Sequence, residues 1–202
     1  MTAVPAADGV VRIGPNAVIQ AAKAVEAFAG PSMLADIFDD AGLPHYLARM
    51  PGTMVPEQDV ISLHASLRAG LGHRRAESVA WTAGYHTADY ILAHRIPKPA
   101  QNLLRLLPPR AAAPLLVKAI TKHAWTFVGS GKFTAEGNRP LVLSITNCPL
   151  CRNAVTQAPA CGFYAATFER LFAELVAGDA KVTETECQAM GASACRFRID
   201  WA

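Results

Sequence analysis

The stretch Thr183 to Cys195, TETECQAMGASAC, decides how the end of this chain folds. Lys181 to Gln188 and Arg196 to Trp201 read as two strands joined by a turn around Gly191. A hairpin of this kind presents Cys187 and Cys195 across its turn. Glu184 completes the spacing E-x2-C-x7-C. It lies three residues before Cys187, and in an ideal strand that puts the two side chains on opposite faces. Both can reach one point only if the strand is bulged or strongly twisted.

All five cysteines lie between positions 148 and 195. Zinc in a reducing compartment takes thiolate and imidazole ligands, with an occasional carboxylate, in a tetrahedron. The hairpin supplies Glu184, Cys187 and Cys195, so a fourth ligand must come from elsewhere. Cys161 is well placed, because it opens the next helix upstream, and a helix N-terminus favours a thiolate. Cys148-Pro-Leu-Cys151 competes with it, since C-x2-C is a common zinc half-site. Five thiols therefore contend for four positions. Two other readings stand beside zinc. Free cysteines are often small buried hydrophobes. A catalytic thiol would want a histidine partner, and none is near in sequence.

Working outward, Cys161 to Val176 is a strongly amphipathic helix, with Tyr164, Phe168, Leu171, Phe172 and Leu175 on one face. Pro140 to Thr146 (PLVLSIT) reads as a buried strand, preceded by a turn at Gly129-Ser-Gly131. Everything before that is helical in texture. The spacing predicts helices over Asn16–Ala29 (stopped by Gly30), Pro31–Ala41, Glu57–Gly70, Ala76–His94, Gln101–Leu107 and Ala111–Val128, with a loop through Pro44 to Pro56. The line Ala80, Gly84, Thr87, Ile91 is small enough to let a neighbouring helix approach closely. Residues 1–14 read as an arm, with a short strand at Val10 to Ile13. Residues 15–202 read as one domain, helix-rich first and α+β last.

Composition excludes several classes. Hydrophobic residues at 51% against 17% charged describe a chain that buries a core, not a disordered one. The net charge of +3 is small, and no basic stripe with interleaved aromatics marks a nucleic-acid surface. His73-Arg74-Arg75 reads as a solvated helix start. The N-terminus lacks the pattern of a secretory signal, and no apolar run is long enough to span a membrane. A cytoplasmic location is the expectation, and there thiols stay reduced.

The segment from Pro159-Ala-Cys161-Gly-Phe-Tyr164 through Glu184-x2-Cys187-x7-Cys195-Arg-Phe197 resembles the V4R (4-vinyl reductase) domain. That domain also serves as the sensory module of aromatic-responsive transcription activators. Leu63-His64, AWTAGYHTADY (Ala80 to Tyr90) and Ile91 to Pro97 look like the version found in bacteriochlorophyll biosynthesis of purple photosynthetic bacteria. The resemblance covers roughly residues 10 to 200. It implies an α+β fold: a curved antiparallel sheet with flanking helices around an apolar pocket, in a homodimer. It also implies one structural zinc on Cys161, Glu184, Cys187 and Cys195. Cys148 and Cys151 fall outside that pattern and stand as alternates.

The family name implies reduction of a vinyl group on a divinyl chlorophyll precursor. Hydride transfer needs a donor, yet no G-x-G-x-x-G follows a strand, and no iron–sulfur spacing replaces it. The alternative is a binding module: a carrier for a magnesium porphyrin or chlorophyllide-type intermediate, with the magnesium chelatase or the following methyltransferase as partner. Such a ligand wants an apolar, aromatic-lined cleft with a few polar groups for its carboxylates. Trp81, Tyr85, Tyr90, Trp125 and Phe127 are candidates for that lining. His86, His94 and His123 are candidate axial ligands, and Arg95 or Lys122 candidate carboxylate partners. Ordinary core packing and solvated histidines compete for each of these residues. A small-aromatic sensor is the third reading, weakened by the lack of an attached DNA-binding or ATPase domain.

Overall fold

A computed structural model of the chain describes residues 9–202. The expected N-terminal arm therefore lies largely outside the described residues; its strand is the short β1, Arg12–Ile13. Helix α1 runs Asn16–Asp40. It is two helices in one, because Gly30 at φ 82° leaves the helical region and Pro31 starts the second half. The expected loop over Pro44 to Pro56 contains a five-residue helix, α2 (Pro44–Ala48), and then β2 (Val55–Pro56), which pairs antiparallel with β1. Pro44 at the first helical position explains α2: its fixed φ suits the start of a helix.

Three longer helices follow: α3 (Glu57–Leu71), α4 (His73–His94) and α5 (Lys98–Leu106). His73-Arg74-Arg75 does form the first turn of α4. The helix expected over Ala111–Val128 is divided into α6 (Pro109–His123) and the single turn α7 (Trp125–Val128). Next come β3 (Lys132–Glu136), β4 (Leu141–Thr146), α8 (Gly162–Leu175), β5 (Lys181–Glu186) and β6 (Cys195–Asp200). Strand β3 was hidden in the sequence, since KFTAE has little β-branched or alternating character.

The four long strands form one antiparallel sheet in the order β3-β4-β6-β5. Strand β6 alternates, with Cys195, Phe197 and Ile199 buried and Arg198 and Asp200 exposed, so one face is packed and the other is wet. On the packed face lies α8. Phe168 meets Phe133 and Phe197 at ring distances of 6.2 and 5.5 Å. Each such ring contributes roughly 2–3 kcal/mol by its burial. Behind α8 lies α4, and α1 and α3 pack on α4 in turn. Helix α8 is thus sandwiched, and every residue from Gly162 to Phe168 is buried.

The α4–α8 seam is as close as the small residues allow. A Cβ on Gly84 would stand 2.1 Å from the carbonyl oxygen of Phe163. Thr167 donates its hydroxyl to the carbonyls of Gly84 (3.0 Å) and Phe163 (2.7 Å). Ala80, Ala83, Thr87 and Ala88 bury the rest of the seam.

Candidate metal centre and ligand surface

Register brings the thiols together. Ile145 of β4 pairs with Cys195, the first residue of β6. The chain leaving β4 turns at Asn147, in the left-handed region at φ 53°, where asparagine is tolerated. It then forms a 3₁₀ turn over Pro149–Cys151, which brings the Cys151 sulfur to Cys195 at the start of β6. The other half of the nest is the β5–β6 hairpin. Its ladder slips between Glu184 and Glu186, so Thr185 is a bulge. One extra residue changes the parity of the strand, which is how Glu184 and Cys187 face the same point. Gly191, at φ 93°, makes the turn. Cys161 caps the N-terminus of α8.

All five cysteines are buried and unbridged. Sγ–Sγ distances are 3.6 Å for Cys148–Cys161, 3.4 Å for Cys151–Cys195, 3.6 Å for Cys161–Cys195 and 4.0 Å for Cys187–Cys195. Two sets of four ligand atoms each lie within 4.8 Å of one another: Cys148, Cys151, Cys161 and Cys195; and Cys161, Glu184, Cys187 and Cys195. Sulfurs bound at the usual ~2.3 Å in a tetrahedron around zinc stand ~3.8 Å apart. The nest has the spacing of a zinc site. Its donors, thiolates with a carboxylate, are also those zinc takes.

Glu184 strengthens the fit. Its Oε2 accepts the backbone N–H of Cys161 at 2.9 Å, while Oε1 is buried without a partner. Burial, and then the negative charge of Cys187, raise its carboxyl to about 9. Such an oxygen is costly to leave unpaired, and a bound cation would satisfy it. Glu77 of α4 accepts the N–H of Gly162, and burial lifts its carboxyl to about 7. The sequence led us to expect that the helix N-terminus would favour a Cys161 thiolate. Burial prevails instead and pushes that thiol well up. Cys151 moves the opposite way, lowered first by its hydrogen bond with Cys148 and then by those with the other thiols.

Side chains that spacing did not single out hold the turn carrying Cys148 and Cys151. Gln188 Oε1 accepts the Cys148 N–H at 2.7 Å, and Arg68 donates to the Leu150 carbonyl at 2.7 Å. Arg152 pairs with the buried Glu57 at 2.6 Å, and Glu57 also accepts the hydroxyl of Ser130 at 3.0 Å. Between α3 and the segment Arg152 to Thr156 lies a cleft of about 540 Å³ that Ile61, Arg68, His73 and Val155 help to line. His64 of α3 faces Phe163 edge-on at 6.0 Å; it is fully buried with Nε2 unpartnered, and burial lowers its pKa to about 3.

The aromatic and histidine candidates occupy three places. Trp81 and Tyr85 are exposed on one flank of α4, where the Arg170 guanidinium lies 4.7 Å over the Tyr85 ring. His86, Tyr90 and His94, four residues apart, line the other flank. There the Tyr90 and His94 rings stand 4.7 Å apart, and Arg95 lies 5.8 Å over Tyr90. His123 and Trp125 are exposed at the α6–α7 junction, with Lys122. Phe127 points inward instead, onto Phe133, Tyr164 and Phe168.

The V4R domain family matches residues 141–200, which hold β4, α8 and the hairpin. Similarity to known proteins runs further. The bacteriochlorophyll synthase 23 kDa chain of Cereibacter sphaeroides is 44% identical over 191 residues, which cover 93% of this chain and 90% of that one. Its counterpart in Rhodobacter capsulatus is 41% identical over 186 residues, covering 92% and 85%. Among solved structures, the Fe(II) unliganded H-NOX protein of K. algicida superposes with a TM-score of 0.60 at 12% identity, over 93% of this chain and 96% of that one. An H-NOX structure from work on heme distortion gives 0.52 at 12% identity, over 94% and 95%. At these identities the likeness is one of fold.

Proposed function

Since the chain belongs to the V4R-domain family of bacteriochlorophyll synthase 23 kDa chains, we propose that it is an accessory protein of bacteriochlorophyll biosynthesis. It binds a magnesium-porphyrin intermediate and passes it between pathway enzymes. The observation that carries this reading is the 44% identity extending over nine-tenths of a 23 kDa chain of that pathway. The fold lends support, because an H-NOX structure with a TM-score above one half comes from work on heme distortion, and heme is itself a tetrapyrrole. Among the described residues no helix is long and apolar enough to cross a membrane, and the reading places the protein in the cytoplasm as a homodimer. Its partners are the magnesium chelatase or the methyltransferase that follows it.

The ligand surface is the flank of α4. His86 or His94 offers a neutral imidazole to the magnesium, Tyr90 a flat wall, and Arg95 a cation for a ring carboxylate. Trp81 and Tyr85 extend the aromatic surface around the helix. Trp125, with His123 and Lys122, is a second candidate surface. In this reading Cys161, Glu184, Cys187 and Cys195 hold zinc. It does no chemistry on the pigment; when bound, it replaces the thiol protons and clamps the hairpin to the N-terminus of α8.

Fluorescence titration with magnesium protoporphyrin, followed by NADPH, tests the carrier. Saturable binding with pigment bands unchanged by NADPH is expected. A blue shift after NADPH, the sign of a lost vinyl group, would make the protein a reductase. No saturable binding would remove the carrier reading.

A further inference from the structure

We propose that the thiol nest holds two zinc ions, joined through the thiolates of Cys161 and Cys195. The proposal rests on the zinc reading above and extends it to residues that reading leaves unused. The two ligand quartets share two members, Cys161 and Cys195, whose sulfurs stand 3.6 Å apart. Each quartet then keeps two donors of its own. Cys148 and Cys151 complete one tetrahedron; Glu184 and Cys187 complete the other.

The distances suit both halves. Cys148 lies 3.6 Å from Cys161, and Cys151 lies 3.4 Å from Cys195. On the other side Cys187 lies 4.0 Å from Cys195. All of these are near the ~3.8 Å edge of a zinc–thiolate tetrahedron. A single ion takes four of the six donors. It strands either two buried thiols or a thiol beside the unpartnered Glu184 Oε1. Two ions employ all six. Charge agrees: two dications against five thiolates and a carboxylate leave a net charge of −2, the same as one zinc on four thiolates. That charge sits at the N-terminus of α8, whose dipole opposes it, and the Gln188 N–H donates to the Cys195 sulfur at 3.4 Å.

The Cys148–Cys151 turn is also built to be there. Gln188, Arg68 and the Arg152–Glu57 pair fix it from three sides. A turn that merely crossed the hairpin would not need such holding. Both ions are closed off from solvent, so their role is to tie β4, α8 and the hairpin to one point.

The test is a count. Full-length protein is reconstituted anaerobically with zinc, freed of excess metal, and measured by native mass spectrometry and elemental analysis. Two zinc ions per chain are expected, with a zinc–zinc path in the X-ray absorption spectrum. The double substitution Cys148→Ser/Cys151→Ser should lower the count to one while the circular dichroism stays native. One zinc in the native chain overturns the pair and leaves the single site standing. Two zinc ions without a zinc–zinc path overturn the bridge. No zinc overturns both readings. Should the double variant fail to fold, the count and the absorption spectrum of the native chain still decide. Porphyrin binding is measured separately, so failure of the carrier reading is not confused with failure of this one.

Discussion

The α4–α8 seam and the thiol nest lie at the two ends of the same short stretch of α8, yet they are held by different physics. The seam is set mainly by close approach: Ala80, Ala83, Gly84, Thr87 and Ala88 are buried along α4, and Gly84 stands against the Phe163 carbonyl. Thr167 and Glu77 add hydrogen bonds whose partners are all satisfied within the protein. At the nest, five thiols and Glu184 converge where contact alone leaves a polar atom unsatisfied. A seam tolerates any side chain small enough. A nest depends on what fills it. One region therefore answers to volume, the other to charge and, on the zinc proposal, to metal.

The largest expected effect separates the two at the nest. On the zinc proposal, treatment with a chelator, or Cys195→Ala, should lower stability by on the order of 5 kcal/mol, because metal-binding free energy is folding free energy. Thermal melts with and without chelator measure it; equal melting temperatures would mean the nest is held by packing after all. Next comes the seam. Gly84→Ala places a Cβ against the Phe163 carbonyl and should cost roughly 4 kcal/mol, whatever the zinc concentration. Denaturant melts at two zinc levels check that independence.

A smaller effect lies between them, on α3. His64 is neutral when folded, its pKa lowered by burial from 6.5 to about 3. Between those values the unfolded chain binds the extra proton. The contribution of His64 is therefore intact above pH 6.5 and is lost as pH falls toward 3, reaching roughly 3 kcal/mol at pH 4. His64→Leu should flatten that limb of the stability–pH curve, measured by urea melts at pH 7 and pH 4. The smallest structural effect belongs to the exposed flank of α4. His86→Ala and His94→Ala should change stability by less than ~0.5 kcal/mol. The one that ligates magnesium should weaken magnesium-protoporphyrin binding at least tenfold, read by fluorescence, while metal-free protoporphyrin binds as before.

Much of this was legible in the residues. The helices α3, α4 and α8 follow from apolar spacing, and the small line through Gly84 marks a face open to close packing, which is the seam. The E-x2-C-x7-C spacing called for a bulge or a strong twist if both side chains were to meet, and the ladder has a bulge at Thr185. Periodicity overlooked β3, whose place depends on pairing with β4 and not on its own composition.

Local sequence determined what is local: helix faces, breaks at glycine and proline, and which residue types can take a metal. The tertiary structure alone decided which of them meet. Cys148 and Cys151 could be brought to Cys161 and Cys195 only by the β4–β6 register and by the grips of Gln188, Arg68 and Arg152. Phe127 was turned into the core while Trp81 and His86 stayed outside. These are contacts between residues tens of positions apart, which no short-range pattern encodes.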